Sequence, residues 1–187
     1  MSDLAQAVRD FTRLFEHRGL PYALMGGLAV RVYGISRATY DIDFTLAIPR
    51  ERLTELYEAV RGLGYTVPEA YESGWVDQVA GMPLVKFRLY LQGYGIDIDV
   101  FLAESQFQLQ LLARRRRETL DDQTVWLVSP EDLVLLKLLA GRPRDVADVG
   151  DVLFIQGQLD EGYLRRWADQ LGVREALERV LAEPPNP

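Results

Sequence analysis

The residues with the clearest chemical potential are two pairs of aspartates, each placed at alternate positions of a short apolar segment. The first pair is Asp41 and Asp43, and the second is Asp97 and Asp99. Side chains alternate between the two faces of a strand, so both members of a pair share one face. Neighbouring ionised carboxylates repel each other, and burial strengthens the repulsion. A divalent cation would remove this cost, and oxygen ligands favour Mg²⁺ or Mn²⁺.

The two aspartate pairs become more informative if their segments are neighbours in one sheet. Three or four carboxylates would then converge, as two-metal phosphoryl or nucleotidyl transfer requires. For the first pair taken alone, two solvated acids at the end of a strand are the alternative interpretation. For the second pair, the alternative is that one aspartate is a metal ligand or base and the other is solvated.

A Gly-Gly turn precedes the first aspartate pair. Gly26 and Gly27 follow a predicted strand over 21–25 and precede a predicted helix over 28–33. Glycines at such a junction allow backbone N–H groups to approach a phosphate, and the helix N-terminus favours negative charge. No Gly-Lys-Ser/Thr follows, so the turn is not a Walker loop.

Lys137 lies in a predicted helix that is apolar nearly all round. A lysine in such a helix must reach solvent along its stem or find an anion. A structural ion pair is one interpretation, and a contact to a triphosphate or to the catalytic acids is the other. Asp145 and Asp148 follow on one helix face, and we favour Asp148 as a partner of Lys137 or a minor catalytic acid.

The spacing of apolar and turn residues predicts an α+β chain with a small mixed β-sheet packed with helices. Strands are predicted over residues 21–25, 41–48, 65–67, 84–91, 95–102 and 123–128. Helices are predicted over residues 3–18, 28–33, 50–61, 104–113, 130–140, 143–156, 160–171 and 174–182. Residues 68–82 are expected to be irregular because Pro and Gly interrupt them. We expect an α+β domain over 1–128, a C-terminal helical subdomain over 129–183 and a disordered tail over 184–187.

The composition limits the classes of function. The 187 residues carry a net charge of -7, with 48% hydrophobic and 26% charged residues, which argues against a general nucleic-acid binder. There is no cysteine, so disulfides and thiolate chemistry are excluded, and the single histidine, His17, is expected at the surface. No signal peptide or membrane span is expected, and a cytoplasmic location is favoured.

The basic residues are unevenly distributed between lysine and arginine. Lys86 and Lys137 are the only lysines, and the other basic residues are arginines. Arg114 to Arg117 form the one basic run. A solvated helix end is its usual meaning, and a contact to the phosphates of an RNA acceptor is the functional alternative.

These residues resemble the signature of the DNA polymerase beta-like nucleotidyltransferase superfamily. Its pattern is an apolar residue, Gly, and then Gly or Ser, followed after a gap by Asp-apolar-Asp/Glu-apolar. Here Met25-Gly26-Gly27 is followed, after a gap over 28–40, by Asp41-Ile42-Asp43-Phe44. The third carboxylate of the superfamily lies on a later strand, where Asp99 fits best and Asp97 is the alternate.

A narrower resemblance is to the AbiEii-type group, which includes toxins of toxin–antitoxin pairs. The segment Arg37-Ala38-Thr39-Tyr40-Asp41 matches its Arg-x-Thr-x-Asp form, and residues 129–148, with Lys137, resemble its second signature. The match covers roughly residues 20–155.

The resemblance implies an enzyme that moves a nucleoside monophosphate from a nucleoside triphosphate to an acceptor hydroxyl. It implies Mg²⁺ or Mn²⁺ at Asp41, Asp43 and Asp99, and an acceptor at an RNA or tRNA end or on a protein. Triphosphate contacts are expected from Gly26, Gly27 and Lys137, with Lys137 also counted among the catalytic residues. Arg37 either contacts the triphosphate as well or braces its loop. An antitoxin protein is an expected partner if the chain is a toxin. A non-catalytic antitoxin-like protein and an aminoglycoside-type adenylyltransferase are the alternatives.

Overall fold

A computed structural model describes residues 3–182 of the protein. Within that range the strands are β1 (Tyr22–Met25), β2 (Asp41–Leu46), β3 (Asp77–Val79), β4 (Met82–Leu91), β5 (Tyr94–Leu102), β6 (Arg116–Leu120) and β7 (Gln123–Leu127). The helices are α1 (Asp3–His17), α2 (Gly26–Tyr33), α3 (Leu53–Gly62), α4 (Gln106–Arg114), α5 (Pro130–Ala140), α6 (Pro143–Gln156), α7 (Glu161–Leu171) and α8 (Arg174–Ala182). Short 3₁₀ helices at Arg50–Arg52 and Glu69–Ser73 precede α3 and β3.

The strands form one mixed sheet in the order β3-β4-β5-β2-β1-β7-β6. β2 is parallel to β5 and antiparallel to β1, while β1 is parallel to β7. Antiparallel pairing then adds β4 and β3 at one edge and β6 at the other. The two aspartate-bearing strands are therefore direct neighbours in the middle of the sheet.

One face of the sheet carries an aromatic core under α1. The ring of Phe11, on α1, lies 6.0 Å from the ring of Phe44 on β2 and 5.7 Å from that of Phe87 on β4. These side chains are fully buried. Because side chains alternate along a strand, burial of Phe44 on this face directs its neighbour Asp43 to the other face.

The helix α5 is enclosed on all sides, which explains its apolar composition. Ser129 caps its N-terminus by accepting a hydrogen bond from the backbone N–H of Asp132, Pro130 takes the first turn, and Gly141 ends the helix in the left-handed conformation. The helix contacts α2, α6, α7 and α8. Leu133, Val134 and Leu135 are completely buried, so α5 is a central element of the helical layer.

Most predicted elements are present, two predictions are wrong and one holds only in part. Residues 65–67 form no strand and contribute only an isolated bridge from Thr66 to Arg88. Residues 68–82 are not simply irregular, because they include a 3₁₀ helix and the edge strand β3. The run Arg114 to Arg117 is a helix end only in its first half, because Arg114 ends α4 and Arg115 is its C-cap, whereas Arg116 and Arg117 begin β6.

The predicted α+β class is confirmed, while the division into residues 1–128 and 129–183 stays a prediction. The tail at 184–187 lies outside the described residues. Among residues 3–182, no helix combines the length and the apolar character that crossing a bilayer demands.

Candidate active site

Two rows of charged residues cross three adjacent strands on the face opposite the aromatic core. In the first row, Asp43 on β2 is in register with Asp99 on β5, which is in register with Lys86 on β4. The second row contains Asp41, Asp97 and Arg88 at the corresponding positions. The two aspartate-bearing strands are therefore neighbours in register, as the prediction of a shared site requires.

Asp43 is the most perturbed acid of the site. Its pKa is raised to about 7, first because burial penalises the charged carboxylate and then because Asp41 and Asp99 repel it. The positive charges of Lys137 and Arg142 partly oppose this rise. A strongly shifted carboxyl beside other acids is typical of a functional site.

Asp99 is paired with a lysine on the neighbouring strand. Its Oδ2 lies 3.2 Å from Nζ of Lys86. Burial raises the pKa of Asp99, with Asp41 and Asp97 adding to the rise, and Lys86 opposes it without reversing it. In the second row, Arg88 lies 3.4 Å from Asp97.

The acids have the right chemistry for a divalent cation, although their side chains are not gathered around one point. In the part of the chain that the structure describes, no group of three or more His, Asp or Glu side chains forms a ready metal cluster. Asp41 accepts a hydrogen bond of 2.8 Å from Thr39 instead, and Asp99 pairs with Lys86. The donors are all oxygens, and the rise in the Asp43 pKa expresses the repulsion that a bound cation would relieve.

The Gly-Gly turn packs directly against the acid rows. Gly26 has a φ of +65° and begins α2, and a Cβ there would collide with Oδ2 of Asp43. A Cβ at Gly27 would collide with Oγ1 of Thr39. Both glycines are thus needed for close approach of site side chains. The first turn of α2 also has no side-chain cap, so its N–H groups are available to an anion.

Lys137 sits at the centre of an alternating chain of charges. Its Nζ lies 2.9 Å from Asp145 and 2.7 Å from Asp148, and all three side chains are buried. Arg37 binds Asp148 through two hydrogen bonds of 2.7 Å, and Arg142 binds Asp145 at 2.6 Å. The predicted partnership of Lys137 with Asp148 is present, and Asp145 is a second partner.

The acids of this charge chain remain ionised despite their burial. Burial alone would raise the pKa of Asp145, but hydrogen bonds from Arg142 and Lys137 hold it below its usual range. Asp148 is held low in the same way by Arg37 and Lys137. The charge chain has three basic side chains, Arg37, Lys137 and Arg142, and two acidic ones, Asp145 and Asp148. It therefore carries a net charge of +1 beside the aspartate rows.

A pocket joins the charge chain to the acid rows. Together with space that is open to solvent, its volume is about 520 Å³, and Gly26, Asp43, Lys137, Arg142 and Asp145 contribute its polar lining. Its apolar lining is Met25, Val79, Ala80, Met82, Phe101, Leu133, Leu136 and Ala140. The stretch 68–82 thus contributes Val79, Ala80 and Met82 to the pocket.

The structure brings most predicted site residues together but leaves one group apart. Asp41, Asp43, Asp99, the glycines and Lys137 surround one region, whereas Arg37 braces the loop before β2 through Asp148. The basic run leads from the end of α4 into β6, the edge strand three places from β2, and its Arg114 and Arg116 pair with Glu131.

Sequence reasoning did not identify Lys86 or Arg142 as site residues. Lysine is common on the solvent-facing side of a strand, so its residue type alone does not indicate a function for Lys86. Only its position opposite Asp99 indicates one. Arg142 follows the glycine that ends α5 and resembles a loop residue, and its side chain is 74% exposed.

The architecture places the protein among nucleotidyltransferase-like folds. It is similar to an antigenic nucleotidyltransferase-like protein from Paracoccidioides brasiliensis, with 20% identity, 96% of this chain and 92% of that chain covered, and a TM-score of 0.57. It is also similar to the antibiotic-resistance factor ANT(2'')-Ia, with 18% identity, coverage of 97% and 95%, and a TM-score of 0.55. At these identities the likeness concerns the fold.

The chain belongs to the family described as "Nucleotidyltransferase of unknown function (DUF6036)", whose model matches residues 2–179. No curated protein matches the sequence significantly. The family confirms the predicted enzyme class, nucleotidyltransferase, with a nucleoside triphosphate as substrate. The narrower AbiEii-type group is not confirmed.

Proposed function

We propose that the protein is a Mg²⁺- or Mn²⁺-dependent enzyme that transfers a nucleoside monophosphate to an acceptor hydroxyl and releases pyrophosphate. The observation that carries this proposal is the in-register pairing of Asp43 with Asp99, next to the uncapped N-terminus of α2. This arrangement combines an acid site for cations with an anion site for phosphates.

The acids would hold the cations, and the residues around the pocket would bind the triphosphate. Asp41 and Asp43 would hold both ions, and Asp99 would complete the one nearer the acceptor. The bound cations would neutralise the triphosphate and make the acceptor hydroxyl more acidic. The N–H groups of Gly26 and Gly27 would bind phosphate oxygens, with Lys137 supplying positive charge.

The bond changes of the proposed reaction are simple. The acceptor oxygen forms a bond to the α-phosphorus, and the bond from that phosphorus to the bridging oxygen of pyrophosphate breaks. The proton of the acceptor hydroxyl passes to Asp99, whose raised pKa suits it to act as a base.

For the acceptor, we propose a hydroxyl at an RNA end, such as tRNA, or on a protein, and a role as the toxin of a toxin–antitoxin pair. The resemblance of residues 129–148 to the second AbiEii-type signature supports this choice. The acidic net charge of -7 does not, because it disfavours polyanionic partners in general.

A small-molecule acceptor is the second candidate, favoured by the apolar side of the pocket. Val79, Ala80 and Met82 from the β3–β4 turn face Leu133 and Leu136 of α5 there. Such a wall suits a compact molecule better than an RNA backbone. The fold likeness to ANT(2'')-Ia, solved in complex with adenylyl-2''-tobramycin, supports the same candidate.

Labelled nucleotide transfer tests the proposal directly. The protein is incubated with each α-labelled triphosphate, Mg²⁺, and either total RNA, candidate proteins or aminoglycosides. We expect transfer to one acceptor class, lost in Asp41→Ala and Asp43→Asn and retained in Asp169→Asn, a control on the exposed side of α7. Absence of transfer to every acceptor, together with no triphosphate binding by calorimetry, would favour the non-catalytic antitoxin-like alternative.

A further inference from the structure

The two lysines of the chain both lie at the candidate active site. Of 21 basic residues, 19 are arginines, and the exceptions are Lys86 and Lys137. Lys137 is enclosed by Asp145 and Asp148, and Lys86 pairs with Asp99. Among the described residues, the ion pairs away from the site all use arginine as the cation. Lysine takes that role only at the candidate active site.

Lys86 is held beside Asp99 by the sheet itself. The two residues are register partners on adjacent antiparallel strands, so the backbone places their side chains next to each other on the acid face. Asp99 is 22% exposed and has Asp41 and Asp97 as acidic neighbours, whereas Lys86 is 46% exposed. Lys86 therefore supplies a positive charge to an acid that burial and neighbouring acids both disfavour.

The next row along the same strands gives a natural comparison. Arg88 pairs with Asp97 in the same register, but Asp97 is 55% exposed and can be solvated without a partner. The guanidinium of Arg88 also lies across Gly95, where a Cβ would come within 2.6 Å of its Nε, and over the ring of Tyr90. Arg88 is thus held by several contacts, whereas Lys86 has a single ionic contact within the described residues.

We propose that Lys86 is a displaceable counter-ion of Asp99. This inference rests on the proposed function. Without a divalent cation, the ammonium group balances the charge of Asp99 and holds its side chain in line with Asp43. When a cation binds, Nζ withdraws to solvent and frees Oδ2 as a ligand. Lys86 is therefore a positioning residue that competes with the cation for Asp99 and lowers the cation affinity of the site.

Lysine is suited to this exchange in a way that arginine is not. An ammonium is a compact charge on a flexible stem, whereas a guanidinium binds a carboxylate through a two-pronged planar contact. A half-exposed pair is worth little in water, so a divalent cation can displace it. The pairing of Asp99 with Lys86 also explains why the acids are not gathered into a cluster.

Binding of Mn²⁺ alone, measured by electron paramagnetic resonance, tests the proposal without relying on catalysis. We expect Lys86→Met to lower the half-saturating Mn²⁺ concentration by about two- to five-fold, the range set by a half-exposed ion pair. Lys86→Arg should bind Mn²⁺ no more tightly than the wild type. Arg88→Met is the matched control, because it removes the same charge one row away and should change Mn²⁺ affinity by less than about two-fold.

Three outcomes would overturn the inference. They are an unchanged or weaker Mn²⁺ affinity in Lys86→Met, an equal gain in Arg88→Met, and a gain in Lys86→Arg. Circular dichroism checks folding, and Lys86→Gln replaces Lys86→Met if the latter does not fold. Mn²⁺ binding at the site should be present in the wild type and lost in Asp43→Asn. If no such binding is found, both this inference and the proposed function fail. If that binding exists and Lys86→Met leaves it unchanged, only this inference fails.

Discussion

Asp43 shows that the candidate active site is costly to fold without its cations. A partly buried carboxyl with a pKa of about 7 is disfavoured in its charged form by loss of hydration and by Asp41 and Asp99. In the unfolded chain the same group titrates near its ordinary value of 3.8. The folded state therefore holds a proton between about pH 4 and pH 7 that the unfolded state has released.

The sign of the resulting pH dependence follows from this difference. As pH rises from about 4 to about 7, Asp43 lowers the free energy of unfolding, by up to about 1.4 kcal/mol per pH unit. In chelator-treated protein, Asp43→Asn should remove this decline and melt at a higher temperature than the wild type at pH 8. Thermal denaturation of both proteins at pH 5 and pH 8 measures the effect.

Asp169→Asn serves as the control for this experiment, because Asp169 lies on α7 in an exposed ion pair with Arg174. Added Mg²⁺ should raise the melting temperature of the wild type and leave that of Asp43→Asn nearly unchanged. If the wild type is more stable than Asp43→Asn at pH 8 without metal, then ionised Asp43 does not destabilise the folded protein and this explanation is wrong.

Gly26 provides a second prediction for a single residue. Gly26→Ala would place a methyl group into the carboxylate of Asp43 at a backbone φ of +65°, so we expect a loss of about 2 kcal/mol or more in unfolding free energy. Gly150→Ala is the matched control, because Gly150 lies within α6 with open space around it. That change should be neutral or stabilise by about 0.5–1 kcal/mol. Urea denaturation measures the unfolding free energy of both variants. Equal effects of Gly26→Ala and Gly150→Ala would argue against a collision of the added methyl group with Asp43.

At the scale of elements, the buried charge chain joins α5, α6 and the loop before β2. Lys137 of α5 contacts two acids of α6, and one of those acids binds Arg37 in the loop. Exchanging a buried charge network for apolar contacts can be neutral, but deleting one member leaves its partners uncompensated. The network therefore fixes the position of the loop before β2, and with it the position of Asp41 at the start of that strand.

Deleting the central lysine should reveal this role. Lys137→Met leaves Asp145 and Asp148 with one arginine each, and we expect a loss of about 3–5 kcal/mol in unfolding free energy. Arg179→Met, which removes an exposed pair with Glu175 on α8, should cost less than about 0.5 kcal/mol. Urea denaturation at pH 7 measures both, and a loss below 1 kcal/mol for Lys137→Met would contradict the structural role.

The elements that the sequence predicts well are those with strong periodicity. The strands that carry Asp43 and Asp99 alternate clearly, and α5 has clear caps, so the shared face of each aspartate pair and the helical position of Lys137 follow from the sequence, whereas the pairing of the two strands entered only as a condition. The edge strand β6 was missed because Arg116, Arg117 and Glu118 give it no apolar alternation. The position of Lys86 opposite Asp99 depends on strand register, which the hairpin turn alone did not fix.

At the scale of the whole molecule, the sheet and the helical layer share their interior. Leu133 and Leu135 of α5 are fully buried, α5 contacts α2, and β7 is paired with β1 in the centre of the sheet. Removal of residues 129–182 would expose this apolar surface to water. The two predicted parts therefore depend on each other for stability.

We expect this dependence to appear as a single unfolding transition. In scanning calorimetry, the calorimetric and van't Hoff enthalpies should agree. A chain that ends at residue 128 should bind a hydrophobic dye and show no cooperative melting. Two resolved transitions in the full chain, or cooperative melting of the shortened chain, would instead support independent domains.

The pairing of β2 with β5 has a consequence for when the protein acquires its chemistry. The two strands are parallel and far apart along the chain, and Lys137 is contributed by a still later helix. Contacts between distant segments form slowly, because a long loop must close before they stabilise the fold. During synthesis, Gly26 and Asp43 therefore leave the ribosome before the residues that complete the site with them. The charged groups meet only after α5 has left the ribosome, so the activity begins late in synthesis.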